Sequence, residues 1–406
     1  MSFENRLSPL SRRSFSRRSF LHLSAAASAA ATLPIFTEPM LAAAARGPAP
    51  THKEISKDAV IISQNENPMG PSPKAREAVA AIIPQGGRYS LALTDDLIQA
   101  FANLEGLKPE YIGAFPGSSD PLHYAVLSFT SPQKSFVIAD PGYEAGVLAS
   151  GVSGARIVKV PVTKSYAHDV KAMIAAAPDA GLFYVCTPNN PTGTLTSHSD
   201  IEYLVENKPA GSVVMVDEAY IHLSSGKSAL DLVKAGKDVI VLRTFSKIYG
   251  MAGLRCGFAV ARPDLLEKIS AFNGWGAMPI TAVVAATASL QDSELVPERK
   301  RIIGGVRQET FEWLDRNRYT YIPSEANFFM LDAKRPGKAM IEAMAEHNVY
   351  IGRVWPVWPN YVRVTVGTHD EMAQFQSAWQ KVMSGTASVS LSKPKLRLKQ
   401  FPAGLG

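Results

Sequence analysis

Between residues 136 and 261 the chain repeats one arrangement of apolar and polar positions. A short, unbroken β-branched or aliphatic run is followed each time by a longer polar or amphipathic stretch. The runs are FVIAD (136–140), ARIVKVPV (155–162), LFYVCT (182–187), SVVMVD (212–217), DVIVLRT (238–244) and RCGFAVA (255–261). None alternates apolar with polar, so these strands are expected to be covered on both faces, as in a mostly parallel sheet flanked by helices. Ahead of them a helix is expected from Ser72 to Ile83, with Ser72 as its N-cap, Pro73 in the first turn and Pro84 beyond the end. After about Ile280 a long helical stretch (280–316) leads to four strand-like runs, YTYIP, ANFFML, VYIGRV and YVRVTV, and then to an amphipathic helix from Asp370 to Met383. The expected class is α/β. A large domain (85–279) carries the central sheet, a smaller α+β domain (280–385) packs on it, and an N-terminal arm (46–84) joins the smaller one.

Composition narrows the function classes. At 406 residues, 46% hydrophobic and 19% charged, the chain has material for a large core, and its aromatic residues are spread along it. No stretch after the first 45 residues approaches the roughly 20 apolar residues of a spanning helix. Two cysteines cannot build a disulfide framework or a structural zinc site, and Cys186 and Cys256, both in apolar runs, are expected as buried thiols. No metal is expected. The net charge of +6 is concentrated at the ends: residues 1–45 carry a net +3 and residues 386–406 a net +4, which leaves the body at −1. That distribution argues against a nucleic-acid face.

The N-terminus reads as an address. Ser16-Arg17-Arg18-Ser19-Phe20-Leu21 is a twin-arginine pattern, followed by a modestly apolar segment from Leu21 to Phe36 and a small-residue run at Leu41–Ala45. Residues 1–45 are expected to be a leader, removed rather than kept as an anchor, and the mature protein is expected to be periplasmic, exported already folded. The basic tail (386–406) is expected to be loose.

Five elements in one chain order carry candidate chemistry. Phe115-Pro116-Gly117-Ser118-Ser119-Asp120 opens a helical stretch with hydroxyls and N–H groups that suit an anion, or equally an ordinary helix cap. Asp140-Pro141-Gly142-Tyr143 puts an aromatic ring past a strand end, where it can lie on a planar ligand or simply fill a turn. Asn189-Asn190-Pro191-Thr192-Gly193 makes a sharp turn after the run LFYVCT. Asp217-Glu218-Ala219-Tyr220 ends an apolar run with a carboxylate that needs a cationic partner, unless it caps the next helix. Thr244-Phe245-Ser246-Lys247 places a lysine after a buried strand, suited to a Schiff base, and Arg255 follows with a fork that can hold a phosphate.

Taken together, NNPTG, DEAY, SK and GLRCGF resemble the fold type I aminotransferases, and within them the histidinol-phosphate aminotransferase group, over roughly residues 55–385. The resemblance implies pyridoxal 5′-phosphate as cofactor. It implies that Lys247 bonds the cofactor's aldehyde and moves the proton, and that Asp217 pairs with the ring nitrogen. Asn190 and Tyr220 are implied at the ring hydroxyl, and Tyr143 on the ring face. Ser118, Ser119, Thr244, Ser246 and Arg255 are implied at the phosphate. Tyr89 resembles the tyrosine that reaches the phosphate from a partner subunit, which implies a homodimer with shared sites. Arg363 matches the arginine that binds the substrate's carboxylate or phosphate, Arg353 stands where a second anion-binding arginine often lies, and Asn327 lies at the small-domain edge of the site. Two departures are visible: Met69 stands where an aromatic residue is common, and Trp355 and Trp358 stand beside the arginines. The implied reaction moves an amino group between an amino acid, or a compound derived from one, and a 2-oxo acid. Decarboxylation, racemisation or a lyase step on the same residues is the alternative.

Overall fold

The computed structural model describes residues 55–385 apart from Trp275; the expected leader (1–45), residues 46–54 and the basic tail (386–406) lie outside the described residues. In chain order the strands are β1 (Val60–Ile62), β2 (Ile112–Phe115), β3 (Ser135–Asp140), β4 (Ile157–Pro161), β5 (Ala180–Cys186), β6 (Val213–Asp217), β7 (Val239–Thr244), β8 (Gly257–Val260), β9 (Tyr321–Ile322), β10 (Phe328–Asp332), β11 (Val349–Ile351) and β12 (Tyr361–Thr365). Seven of them form the central sheet in the order β2-β8-β7-β6-β5-β3-β4. All run parallel except β8, which is antiparallel to both of its neighbours. Every residue of β5, β6 and β7 is buried, the physical counterpart of their unbroken apolar runs.

The six runs read from the sequence all form strands of this sheet. β2, only four residues long and interrupted by Gly113, lacks a strong apolar signal of its own. It becomes a strand because β8 offers an open edge, pairing Phe115 with Gly257. The expected helix at 72–83 is Pro73–Ile82, with the Ser72 hydroxyl accepting from the Ala75 N–H. The stretch 280–316 divides into two helices, Ile280–Leu290 and Leu295–Arg316. The break falls at Asp292-Ser293, whose short polar side chains compete with the helical backbone.

Downstream, β12, β10 and β9 form an antiparallel sheet, and β1 pairs in parallel with β11, Val60 opposite Val349. The N-terminal arm is therefore stitched to the C-terminal part of the chain. The last helix, His369–Ser384, starts with a reciprocal cap between Thr368 and Glu371. One apolar cluster runs from β1 to this helix, and a small second cluster of Ile322, Met330 and Trp355 lies in the C-terminal part. None of the described helices is long and apolar enough to cross a membrane.

Beneath the ends of β6 and β7 lies a buried ion pair. Arg243 Nε donates to Glu218 Oε2 at 2.8 Å, and Glu218 also accepts from the Ser228 hydroxyl and the Ala229 N–H. Burial and the nearby Arg243 and Lys300 cations push His222 down to about 3, so its neutral ring can accept from Arg243. Removing one partner of such a pair strands a charge away from water. Glu218→Ala is expected to cost about 3–5 kcal/mol of stability, read by urea unfolding, with Glu218→Gln costing clearly less; equal losses would mean that the charge is immaterial there.

Candidate active site

The parallel strands β2, β3, β5, β6 and β7 all point their carboxyl ends at one edge of the sheet, where ligands of open α/β sheets bind. β8 runs the other way, with Gly257 opposite Thr244 and Phe115, so the residues entering it reach the same edge. Six chain segments far apart in sequence, Gln64 and Glu66 of the N-terminal arm among them, thus meet around one cavity of about 300 Å³.

Asp217 and Lys247 both line that cavity. Asp217 is buried; it accepts from the Tyr184 hydroxyl at 2.8 Å and from the Ala219 N–H at 3.1 Å. Burial pushes its pKa up to about 6, against the opposing pull of these donors and of the Lys247 charge. Lys247 Nζ lies 5.5 Å from the centre of the Tyr220 ring. Tyr220 also lines the cavity, and its hydroxyl accepts from the Asn65 amide at 3.1 Å.

At the other end of the cavity lie Ser118, Ser119, Thr244, Ser246 and Arg255. Ser118 caps the helix Ser119–Phe129 by position, yet its hydroxyl makes no capping bond. Thr244 donates to the Ser246 hydroxyl at 2.9 Å. Arg255 is held by the carbonyls of Pro116 and Ala252 and by Ser246. Gly117 has φ +92°, and a Cβ there would lie 2.1 Å from the Arg255 guanidinium, so only glycine lets the loop close on this arginine. Tyr143 and Asn190 line the cavity between the two ends.

Arg363 is fully buried behind Asn190: it donates to Asn190 Oδ1 at 2.8 Å and to the Ser63 carbonyl at 3.0 Å. With its oxygen on the guanidinium, the Asn190 amide has its NH₂ end as the donor for a ligand. Asn327 bonds the Asn65 and Glu66 carbonyls, holding the arm rather than lining the cavity. Arg353 stacks on Trp355, 4.3 Å from the ring centre, and pairs with Glu144. Tyr89 does not line this cavity and is 62% exposed.

Sequence reasoning did not find Tyr184, Glu144 or the seat of Asn65. A tyrosine inside the aliphatic run LFYVCT is a weak signal that a buried hydroxyl has a polar partner nearby. Glu144 follows the Tyr143 turn and meets Arg353 only through tertiary packing, 209 residues on.

These groups fit pyridoxal 5′-phosphate. Asp217 is a buried carboxylate in need of a cation, Lys247 an amine in the same cavity, and the hydroxyls with Arg255 a phosphate cup at a helix start. The fold and the site together define a pyridoxal-phosphate enzyme of fold type I. Residues 57–378 match the family model of class I and II aminotransferases, and the chain belongs to that family, which is pyridoxal-phosphate dependent and acts on amino acids and keto acids. It is 31% identical to a histidinol-phosphate aminotransferase of Moorella thermoacetica, over 81% of this chain and 86% of that one. It is also 31% identical to an aromatic amino acid aminotransferase of Cutibacterium acnes, over 81% and 94%. Its fold matches the structure of histidinol-phosphate aminotransferase from Sinorhizobium meliloti in complex with pyridoxal-5′-phosphate, with a TM-score of 0.74 at 24% identity, covering 92% of this chain and 99% of that one.

In the cofactor-free protein the folded pKa of Asp217 lies above its unfolded value. The folded state therefore holds the extra proton between about pH 4 and about pH 6, and this group's contribution to stability falls as pH rises through that window. Asp217→Asn is expected to remove that dependence and to raise cofactor-free stability at pH 7 by on the order of 2–3 kcal/mol, while weakening cofactor binding. Urea unfolding at pH 5 and pH 7 checks it; an unchanged pH difference would show that the carboxyl is ionised without cost.

Proposed function

We propose that this chain is an exported aminotransferase moving an amino group between an amino acid, or an amino-acid-derived compound, and a 2-oxo acid. The observation that carries the reading is the meeting of Lys247 and Asp217 in one cavity, with Arg363 behind Asn190 at its side. The names of the relatives favour transfer over the other reactions these residues could support.

When bound, pyridoxal phosphate supplies an aldehyde and an electron-withdrawing ring that spreads the charge left by a departing α-proton. Lys247 would hold the cofactor through its Nζ, and the same amine would carry the substrate's α-proton from the substrate carbon to the cofactor carbon. Asp217 would stay ionised against a cationic ring nitrogen, and the burial that makes its lone charge costly makes that pairing strong. Arg363 would fix the substrate carboxylate with its planar fork, and Asn190, bonded to it, ties substrate position to cofactor position. Tyr143 would cover the ring, and Tyr220, steered by Asn65, would donate at its edge.

Two further parts of the reading rest on other observations. The twin-arginine leader supports export after the cofactor has been acquired inside the cell. Ile83, Tyr89 and Leu91, each more than half exposed on one short segment, support a homodimer in which Tyr89 reaches the partner's phosphate cup.

Presented with a panel of amino acids, the purified mature protein is expected to convert its cofactor to the amino form, followed by absorbance; carbon dioxide release in its place would mean decarboxylation. Lys247→Ala should abolish turnover and the lysine-bound cofactor absorbance while leaving the far-ultraviolet spectrum intact, and retained turnover would overturn the assignment of that lysine. Protein from the periplasmic fraction should begin shortly after residue 45, as N-terminal sequencing reads; an intact leader on cytoplasmic protein would refute export.

A further inference from the structure

Each carboxylate oxygen of Asp217 accepts one hydrogen bond from the chain. The Ala219 N–H donates to Oδ1 at 3.1 Å, and the Tyr184 hydroxyl donates to Oδ2 at 2.8 Å from the neighbouring strand. Sheet register explains the reach. Cys186 of β5 stands opposite Asp217, and Tyr184 opposite Met215, two residues or about 6.6 Å further back along the strand. Tyr184 and Cys186 share one face of β5, and the phenol reaches the carboxylate along that face. Tyr184 and Asp217 are both buried, and the Tyr184 ring centre lies 6.4 Å from that of Phe136 on β3. Asp217 lines the cavity and Tyr184 does not, so the hydroxyl holds the carboxylate from behind.

Neither donor carries a charge. A lysine or arginine in place of Tyr184 would neutralise Asp217 and compete with any cation arriving from the cavity. A hydroxyl fixes the direction of the carboxylate and favours its ionised form while leaving the charge uncancelled. Burial opposes that ionisation, so the loss of one donor is felt.

We propose that Tyr184 is a positioning residue that acts through Asp217: its hydroxyl keeps the carboxylate ionised and aimed, so that the ring nitrogen of the cofactor is bound in its protonated form. This rests on the pairing of Asp217 with that nitrogen, not on which reaction follows.

Tyr184→Phe removes the hydroxyl and keeps the ring. Cofactor-free protein is titrated with pyridoxamine 5′-phosphate, which carries the ring but forms no bond to Lys247. Tyr184→Phe should bind it about tenfold more weakly than wild type, while inorganic phosphate, a probe of the cup alone, should bind equally to both. The nitrogen NMR shift of the bound ring should move towards the neutral-ring value. In an Asp217→Asn background the same substitution should change pyridoxamine phosphate binding by less than about twofold, because the group it acts through is gone. Equal losses in the two backgrounds, or matching losses for both ligands, would mean a structural role and overturn the proposal. If Asp217→Asn alone leaves pyridoxamine phosphate binding unchanged, the pairing with the ring nitrogen falls as well; if it weakens binding and Tyr184→Phe does not, the role of Tyr184 falls alone.

Discussion

Asp217 ends β6 with its carboxyl buried, where loss of water opposes ionisation and only a hydroxyl, one backbone N–H and the Lys247 charge oppose that loss. A carboxylate so placed is poorly matched to an empty cavity and well matched to a cationic ring. The same desolvation that lifts its pKa strengthens whatever cation it meets. The surrounding parts serve that pairing: Tyr184 aims the carboxylate from the neighbouring strand, and the Glu218–Arg243 pair anchors the next residue along the chain.

Topology turns this local chemistry into a site. A parallel sheet delivers the carboxyl ends of its strands to one edge, and the single reversed strand adds Arg255 to it from the opposite direction. Left-handed backbone is accepted where Gly117 meets Arg255: Arg255 has φ 65° and Gly117 φ +92°, and their contact leaves no room for a Cβ.

The N-terminal arm closes the arrangement from the other side. Ser63 holds Arg363, Asn65 holds Tyr220, and Asn327 in turn holds Asn65 and Glu66. Arg299 bonds both the Gly70 carbonyl of the arm and the Ile248 carbonyl beside Lys247. A segment that begins as a three-residue strand on β11 thereby positions the lysine loop, Arg363 and Tyr220 at once.

The unbroken apolar runs determined the parallel sheet without help, because strands covered on both faces need no polar alternation. The polar residues at and just past their ends pointed to the cofactor only as an ordered set, through the resemblance to fold type I aminotransferases: Asp217 ends β6, and Tyr143, Asn190 and Lys247 follow the ends of β3, β5 and β7 by a few residues. What packing alone decided was pairing across long sequence separations. β1 and β2 are too short to announce themselves and exist because an open edge received them. Arg353 stands where the resemblance implies an anion binder, but its charge is answered by Glu144, 209 residues away. Local pattern reports which groups a position offers; which partner cancels or aims a group depends on distances that only the folded chain fixes.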